Sequence, residues 1–205
     1  MKAILTKLVF ALWAALAVRA QKAPDAKEIA DAAVDSVLTD YEAGLPPIGR
    51  DYVQDLAVQS YWAFRESSLS KRALGDGGKS RGPWQLQGAC GHRSVAEQAK
   101  CWRLLARDGV RSCPRAPYAI LYGGCRIPLS KIHVSWTTES ASLQRVAQAD
   151  RLLGIALGVD HAQDAPVDPV YVFFPSAEQG IEAGALGQSS IRTLDDEQEL
   201  VAGPR

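Results

Sequence analysis

The sequence predicts a mainly α-helical fold with one small loop or β-hairpin insertion, stapled by two disulfides. Three features carry that expectation. Apolar residues recur at helical spacing in four separate stretches. One glycine-rich stretch, residues 75–88, interrupts them. Four cysteines, Cys90, Cys101, Cys113 and Cys125, follow an N-terminal apolar run of the export-signal type. A chain of 205 residues with 47% apolar content can close a single core, so disulfides would help it rather than define it.

The elements follow in chain order. Lys2 and Lys7 precede the apolar run Leu8 to Val18, and Val18-Arg19-Ala20 presents small or branched residues where a signal peptidase reads. Residues 1–20 are therefore expected to be a signal peptide cleaved after Ala20. The run is short for a membrane span. No cysteine follows it at a lipoprotein position. A periplasmic or secreted location is the consequence. Residues 21–48 read as an N-terminal helix and linker. Asp25 suits a helix start, Ile29, Ala33, Val37 and Tyr41 share a face, and Gly44-Leu45-Pro46-Pro47 ends it.

Residues 49–157 read as the main domain. Its first helix, 51–69, places Val53, Leu56, Ala57, Ser60 and Phe64 on one stripe. Glu66 falls about 220° from Val53 on that wheel, beside Gln59 and Trp62. Ser94 to Glu97 is a capping box opening a helix with Val95, Ala99, Trp102 and Ala106 on one face, and Asp108-Gly109 is its expected stop. Pro117 to Tyr122 is a short apolar segment ended by Gly123-Gly124. A last helix, Ala141 to Leu157, presents Leu143, Val146, Ala147 and Leu153. Residues 158–205 form an acidic extension, with Val170 to Phe174 as one strand or docking segment.

Charge is distributed unevenly. Residues 1–42 carry −1, residues 43–136 carry +8 and residues 137–205 carry −7, for a net charge of zero. A basic middle attracts anionic polymers, of which nucleic acid and bacterial cell wall are both examples, or is simply a solvated surface. The export signal argues against nucleic acid. An even cysteine count behind such a signal predicts two disulfides in one of three pairings, of which Cys90–Cys101 with Cys113–Cys125 closes the shortest loops. With no CxxC pair and only three histidines, His92, His133 and His161, no metal site is expected.

The chemically dense stretch runs from Ala63-Phe64-Arg65-Glu66-Ser67 to Gly82-Pro83-Trp84-Gln85-Leu86. A carboxylate ends an amphipathic helix, and a glycine-rich loop with a glutamine follows. A half-buried glutamate can deliver a proton to a glycosidic oxygen, and a loop can offer amide hydrogen bonds to a sugar. Plainer roles stand beside these. Glu66 could pair with Arg65 or Lys71, Ser67 could end the helix, Gln85 could brace its loop, and Trp84 and Tyr122 could be core.

This stretch resembles the lysozyme-like fold of the soluble lytic transglycosylases and goose-type lysozymes. That group carries Glu-Ser at a helix end, matched by Glu66-Ser67, and then a Gly-rich loop ending in Gln, matched by Ser80 to Gln85. Its Tyr element resembles Ala119 to Gly124, with Tyr122 in the Tyr place. The group's Asn after that Tyr is Gly123 here. The resemblance implies that Glu66 is the catalytic acid and that Ser67, Gln85 and Tyr122 position substrate or acid. It implies cleavage of peptidoglycan between N-acetylmuramic acid and N-acetylglucosamine, with no cofactor. A hydrolase would need a second carboxylate, for which Asp76 is the loop's candidate; as a turn former it is equally at home. Lytic transglycosylases work with one acid, forming 1,6-anhydro ends, and that reaction is preferred. The alternatives are a hydrolytic lysozyme using Asp76, or a non-catalytic peptidoglycan-binding protein whose acidic extension meets an envelope partner.

Overall fold

The computed structural model describes residues 1–16, 23–127 and 137–158. The expected cleavage point after Ala20, the segment Val170 to Phe174, His133 and His161 lie outside them. The described chain is mainly helical. Its elements are α1 (Lys2–Leu16), α2 (Ala26–Glu42), α3 (Tyr52–Ser67), β1 (Leu74–Gly75), β2 (Ser80–Arg81), α4 (Gly88–Gly91), α5 (Val95–Ser112) and α6 (Thr138–Leu157). Short 3-10 turns occupy Asp76–Gly78 and Pro117–Tyr122.

α3 is the centre of the molecule. Its N-cap, Asp51, accepts a hydrogen bond from Gln54 N, satisfying one of the free amides of the first turn. Every residue from Gln54 to Ala63 is buried, so the helix is enclosed on all sides by α1, α2 and α6. The expected single stripe is therefore too narrow. Val53, at its start, is exposed, while Gln59 and Trp62, on the opposite side, are buried. Gln54, Asp55 and Gln59 can be enclosed because each finds a partner, while the buried Ser60 hydroxyl has none among the described residues. Gln59 accepts from Ser36 Oγ at 3.2 Å and donates to Ala99 O at 3.2 Å.

The apolar N-terminal run forms α1 and packs on α2, α3 and α6. Val9, Leu12 and Trp13 are buried, and Trp13 Nε1 donates to Ser60 O at 3.1 Å. Removing α1 would bare the surfaces those three side chains cover. α2 belongs to the same core, with Ile29, Ala33 and Val37 buried and Tyr41 left exposed. No helix among the described residues is long and apolar enough to cross a membrane.

A buried ionic network ties these helices together. Asp55 on α3 is fully enclosed and accepts from Ile48 N at 2.9 Å, Gly49 N at 2.7 Å, Arg103 Nη2 at 3.0 Å and Tyr118 Oη at 2.8 Å. Arg103 on α5 also bonds Asp40 on α2, and Arg107 reaches the same Asp40 carboxylate at 2.8 Å.

α5 opens with the expected capping box between Ser94 and Glu97, and Val95, Ala99, Trp102 and Ala106 are buried. It does not stop at Asp108-Gly109 but runs to Ser112. Gly109 is there for closeness. A side chain on it would collide with the Pro117 carbonyl, so glycine lets the 3-10 turn lie against the helix. The pairing Cys90–Cys101 ties α4 to α5, with Cα atoms 6.0 Å apart. Cys113–Cys125 ties the end of α5 to the chain after the 3-10 turn, at 5.6 Å. In α6 the inward residues are Thr138, Ala141, Ser142, Ala149, Leu152 and Leu153. The expected Leu143 and Ala147 point outward.

Two outcomes follow from this packing. Asp55→Ala should lower stability by about 3–5 kcal/mol, because it strands Arg103 as an uncompensated buried charge. A urea-unfolding midpoint checks this, and a loss below about 1 kcal/mol, the size of an ordinary surface substitution, would deny the network its role. Protein matured in an oxidising compartment should label with no thiol reagent under denaturing, non-reducing conditions, and removal of either bridge should cost about 2–5 kcal/mol.

Candidate active site

Glu66 lies in the last turn of α3, and the chain turns sharply beyond it. Ser67 Oγ donates to Ala63 O at 2.8 Å and accepts from Ser70 N at 3.2 Å, so the hydroxyl closes the helix end. Ser68 and Leu69 then take positive φ, 51° and 62°, which costs non-glycine residues energy and persists only where packing fixes it. Leu69 supplies that packing, being buried. Together these turn the chain away from α3 directly after Glu66, whose side chain keeps 25% of its surface exposed.

Three elements meet at the Glu66 carboxylate. Arg145 on α6 places Nη1 2.5 Å from Glu66 Oε1. Its guanidinium lies over the Trp62 ring, 4.3 Å from the centroid, and 5.1 Å from the centroid of Tyr122. Trp62 and Tyr122 touch each other at 5.1 Å between centroids, tilted by 43°. Burial pushes the Tyr122 phenol far above the usual tyrosine range, and burial raises Tyr61 as well. Both phenols therefore stay protonated as hydrogen-bond donors at any ordinary pH.

Sequence reasoning named Glu66 and Tyr122, and the fold brings their surroundings together through Trp62 and Arg145. It did not name Arg145. A signal was present. Position 145 falls on the inward stripe 138, 142, 145, 149 and 152 of α6, flanked by the small residues Ser142 and Ala149 that leave room for a long side chain.

The hairpin residues are occupied differently. Strands β1 and β2 pair antiparallel, Leu74 with Arg81 and Gly75 with Ser80. Asp76 takes φ 49° in the turn between them, and its carboxylate accepts from Ser80 Oγ and, at 3.2 Å, from Gln87 Nε2. Gln85 Nε2 donates to Gly82 O at 2.8 Å, while its Oε1 sits where a side chain at Gly75 would be. Gln85 and Ser67 thus bond local backbone, and Asp76 bonds the side chains of Ser80 and Gln87. Trp84 is core: it is buried, and its Nε1 donates to Gln59 O at 3.0 Å, fastening the hairpin to α3. Among the described residues no cluster of His, Cys, Asp or Glu is placed to hold a metal ion.

No known protein family, curated protein or solved structure matches this chain.

Trp84→Ala should behave as a core truncation, costing about 3–5 kcal/mol of stability. Thermal or urea unfolding checks it. Near-unchanged stability with weakened glycan binding would instead make Trp84 a sugar platform.

Proposed function

We propose that this chain cleaves the glycan strands of peptidoglycan between N-acetylmuramic acid and N-acetylglucosamine, as a lysozyme-like enzyme of the lytic transglycosylase type. The observation that carries the reading is the placement of Glu66: a carboxylate on the rim of the core, at the end of an enclosed helix, with an aromatic pair beside it. The buried Trp62 ring and the Tyr122 ring give the carboxyl group an apolar wall, which suits proton transfer. The two disulfides accord with an oxidising compartment such as the periplasm or the exterior.

In this reaction Glu66 gives its proton to the bridging oxygen as the bond to the muramyl C1 breaks. The departing N-acetylglucosamine leaves with a free hydroxyl. The muramyl 6-hydroxyl then bonds to C1, and its proton returns to Glu66, so no water is consumed. Glu66 can act this way only once Arg145 has released its oxygen and the carboxylate has taken up a proton from solvent. The protonated Tyr122 phenol beside Glu66 supplies a neutral donor for orienting the acid or the sugar. Asp76 favours the one-acid reaction over hydrolysis, because its carboxylate is engaged by Ser80 and Gln87 within the hairpin.

Glu66→Gln keeps the shape of the side chain and removes the transferable proton. Clearing of cell-wall sacculi should fall by about 100-fold or more with the fold intact. Asp76→Asn should retain most activity and still give 1,6-anhydro ends by muropeptide mass spectrometry, since the nucleophile is the substrate's own hydroxyl. Retention of a tenth of wild-type activity by Glu66→Gln would sink the assignment. Reducing ends alone from wild type would move the enzyme to the hydrolytic lysozymes.

A further inference from the structure

Among the described residues, Arg103 and Arg145 are held in opposite ways. Arg103 is 2% exposed and makes directed hydrogen bonds to two carboxylates, Asp40 and Asp55. It is a fixed structural cation, since breaking either bond leaves a charge stranded in the core. Arg145 is 20% exposed, rests on the ring faces of Trp62 and Tyr122, and shares a side-chain hydrogen bond with the Tyr122 hydroxyl. Its Nη1 lies within ion-pair distance of Glu66 Oε1 yet lacks the alignment of a hydrogen bond to it. Stacking fixes the plane of a guanidinium, and Nη1, which has no aligned acceptor among the described residues, remains to meet a planar anion. Among the described residues, the other charged and titratable groups facing this pair are Tyr122 from the 3-10 turn, with Tyr61 and Arg65 from α3. Among these neighbours Glu66 is the anion.

We propose that Arg145 is a carboxylate receptor shared between Glu66 and the ligand: a carboxylate borne by the bound glycan takes the guanidinium edge, and Glu66 is released. The inference rests on the reading of this chain as a glycan-cleaving enzyme, and it names the substrate feature that the site selects. That feature is an anionic sugar substituent. In peptidoglycan it has two sources, the lactyl carboxylate of N-acetylmuramic acid where no stem peptide is attached, and the carboxylates of the stem peptide where one is. A neutral glycan of the same length would leave the Glu66–Arg145 pair closed. The exchange conserves charge, since one carboxylate replaces another on the same cation. It also places the substrate's anionic group beside the very residue whose proton is to be transferred.

The test reads binding rather than cleavage, so it fails separately from the enzymatic reading. Three probes lack the scissile linkage: the disaccharide of N-acetylglucosamine on N-acetylmuramic acid with a free lactyl carboxylate, its lactyl methylamide, and the peptide-bearing disaccharide. Each is titrated into the folded protein while tryptophan indole N–H signals are followed by NMR. In wild type a carboxylate-bearing probe should bind about tenfold or more tighter than the methylamide, the size of a charge-assisted hydrogen-bonded pair. Whether the lactyl or the peptide probe shows the gain identifies the source, and either supports the receptor. Arg145→Gln should erase the preference, and Arg145→Lys should keep part of it. Glu66→Gln gives the decisive result. Removing the internal competitor should tighten the carboxylate probe several-fold and leave the methylamide unchanged, because two anions competing for one cation are negatively coupled. Equal binding of all three probes by wild type would overturn the proposal. So would a Glu66→Gln protein whose carboxylate affinity is unchanged or weaker. If the preference and the competition hold but wild type cleaves no strands, the receptor stands and the catalytic reading falls.

Discussion

Asp55 is the constraint on which the rest of this structure depends. A fully enclosed carboxylate is tolerable only if every lone pair is used, and here the amides of Ile48 and Gly49, the Arg103 guanidinium and the Tyr118 hydroxyl use them. Those four donors belong to the connection after α2, to α5 and to the 3-10 turn. Arg103 then extends the network to Asp40 on α2. One charge therefore specifies how four pieces of chain meet. Apolar packing alone would tolerate small slides between these helices. A directed set of bonds to one buried anion tolerates none without exposing an unpaired group.

The network and the candidate site are joined by rings. Tyr118 stacks on Trp102 at 5.5 Å, Trp102 meets Trp62 edge-on at 6.0 Å, and Trp62 meets Tyr122 at 5.1 Å. The column begins at Asp55 and ends beneath Arg145 and Glu66. Aromatic side chains have few torsions, so such a column holds its far end in place at small entropic cost. The surface on which Arg145 lies is thus a continuation of the core.

Much of this was legible in the sequence, and the shortfalls have physical causes. The capping box at Ser94, the face of α5 and the hairpin in the glycine-rich stretch follow from local rules that the fold obeys. So do the two cysteine pairs, each closing its shortest loop. The α3 wheel is too narrow because enclosed Gln54, Asp55 and Gln59 are read as surface when hydrophobicity is the only guide. The end of α5 was misplaced because Gly109 was taken as a stop, whereas the Pro117 carbonyl needs its bareness. Arg145 was missed for a related reason. The inward stripe of α6 is built of threonine, serine and alanine, and a search for leucine and valine follows Leu143 to the solvent instead. At the site, the spacing from Glu66 to the loop is visible in the sequence, as are local roles for Ser67, Asp76 and Gln85 beside the functional ones; choosing between them takes the hydrogen-bond partners that the fold supplies.

The positive-φ pair Ser68–Leu69 has a bearing on how the protein breathes. Amides within an enclosed helix exchange with solvent only when large parts of the molecule open, while those in turns exchange through small local motions. α3 changes from one regime to the other over the two residues that follow Ser67. Glu66 sits on the protected side of that frontier, within one turn of it. Its backbone amide is expected to share the slow opening of the core, and those of the turn beyond it to exchange through local opening.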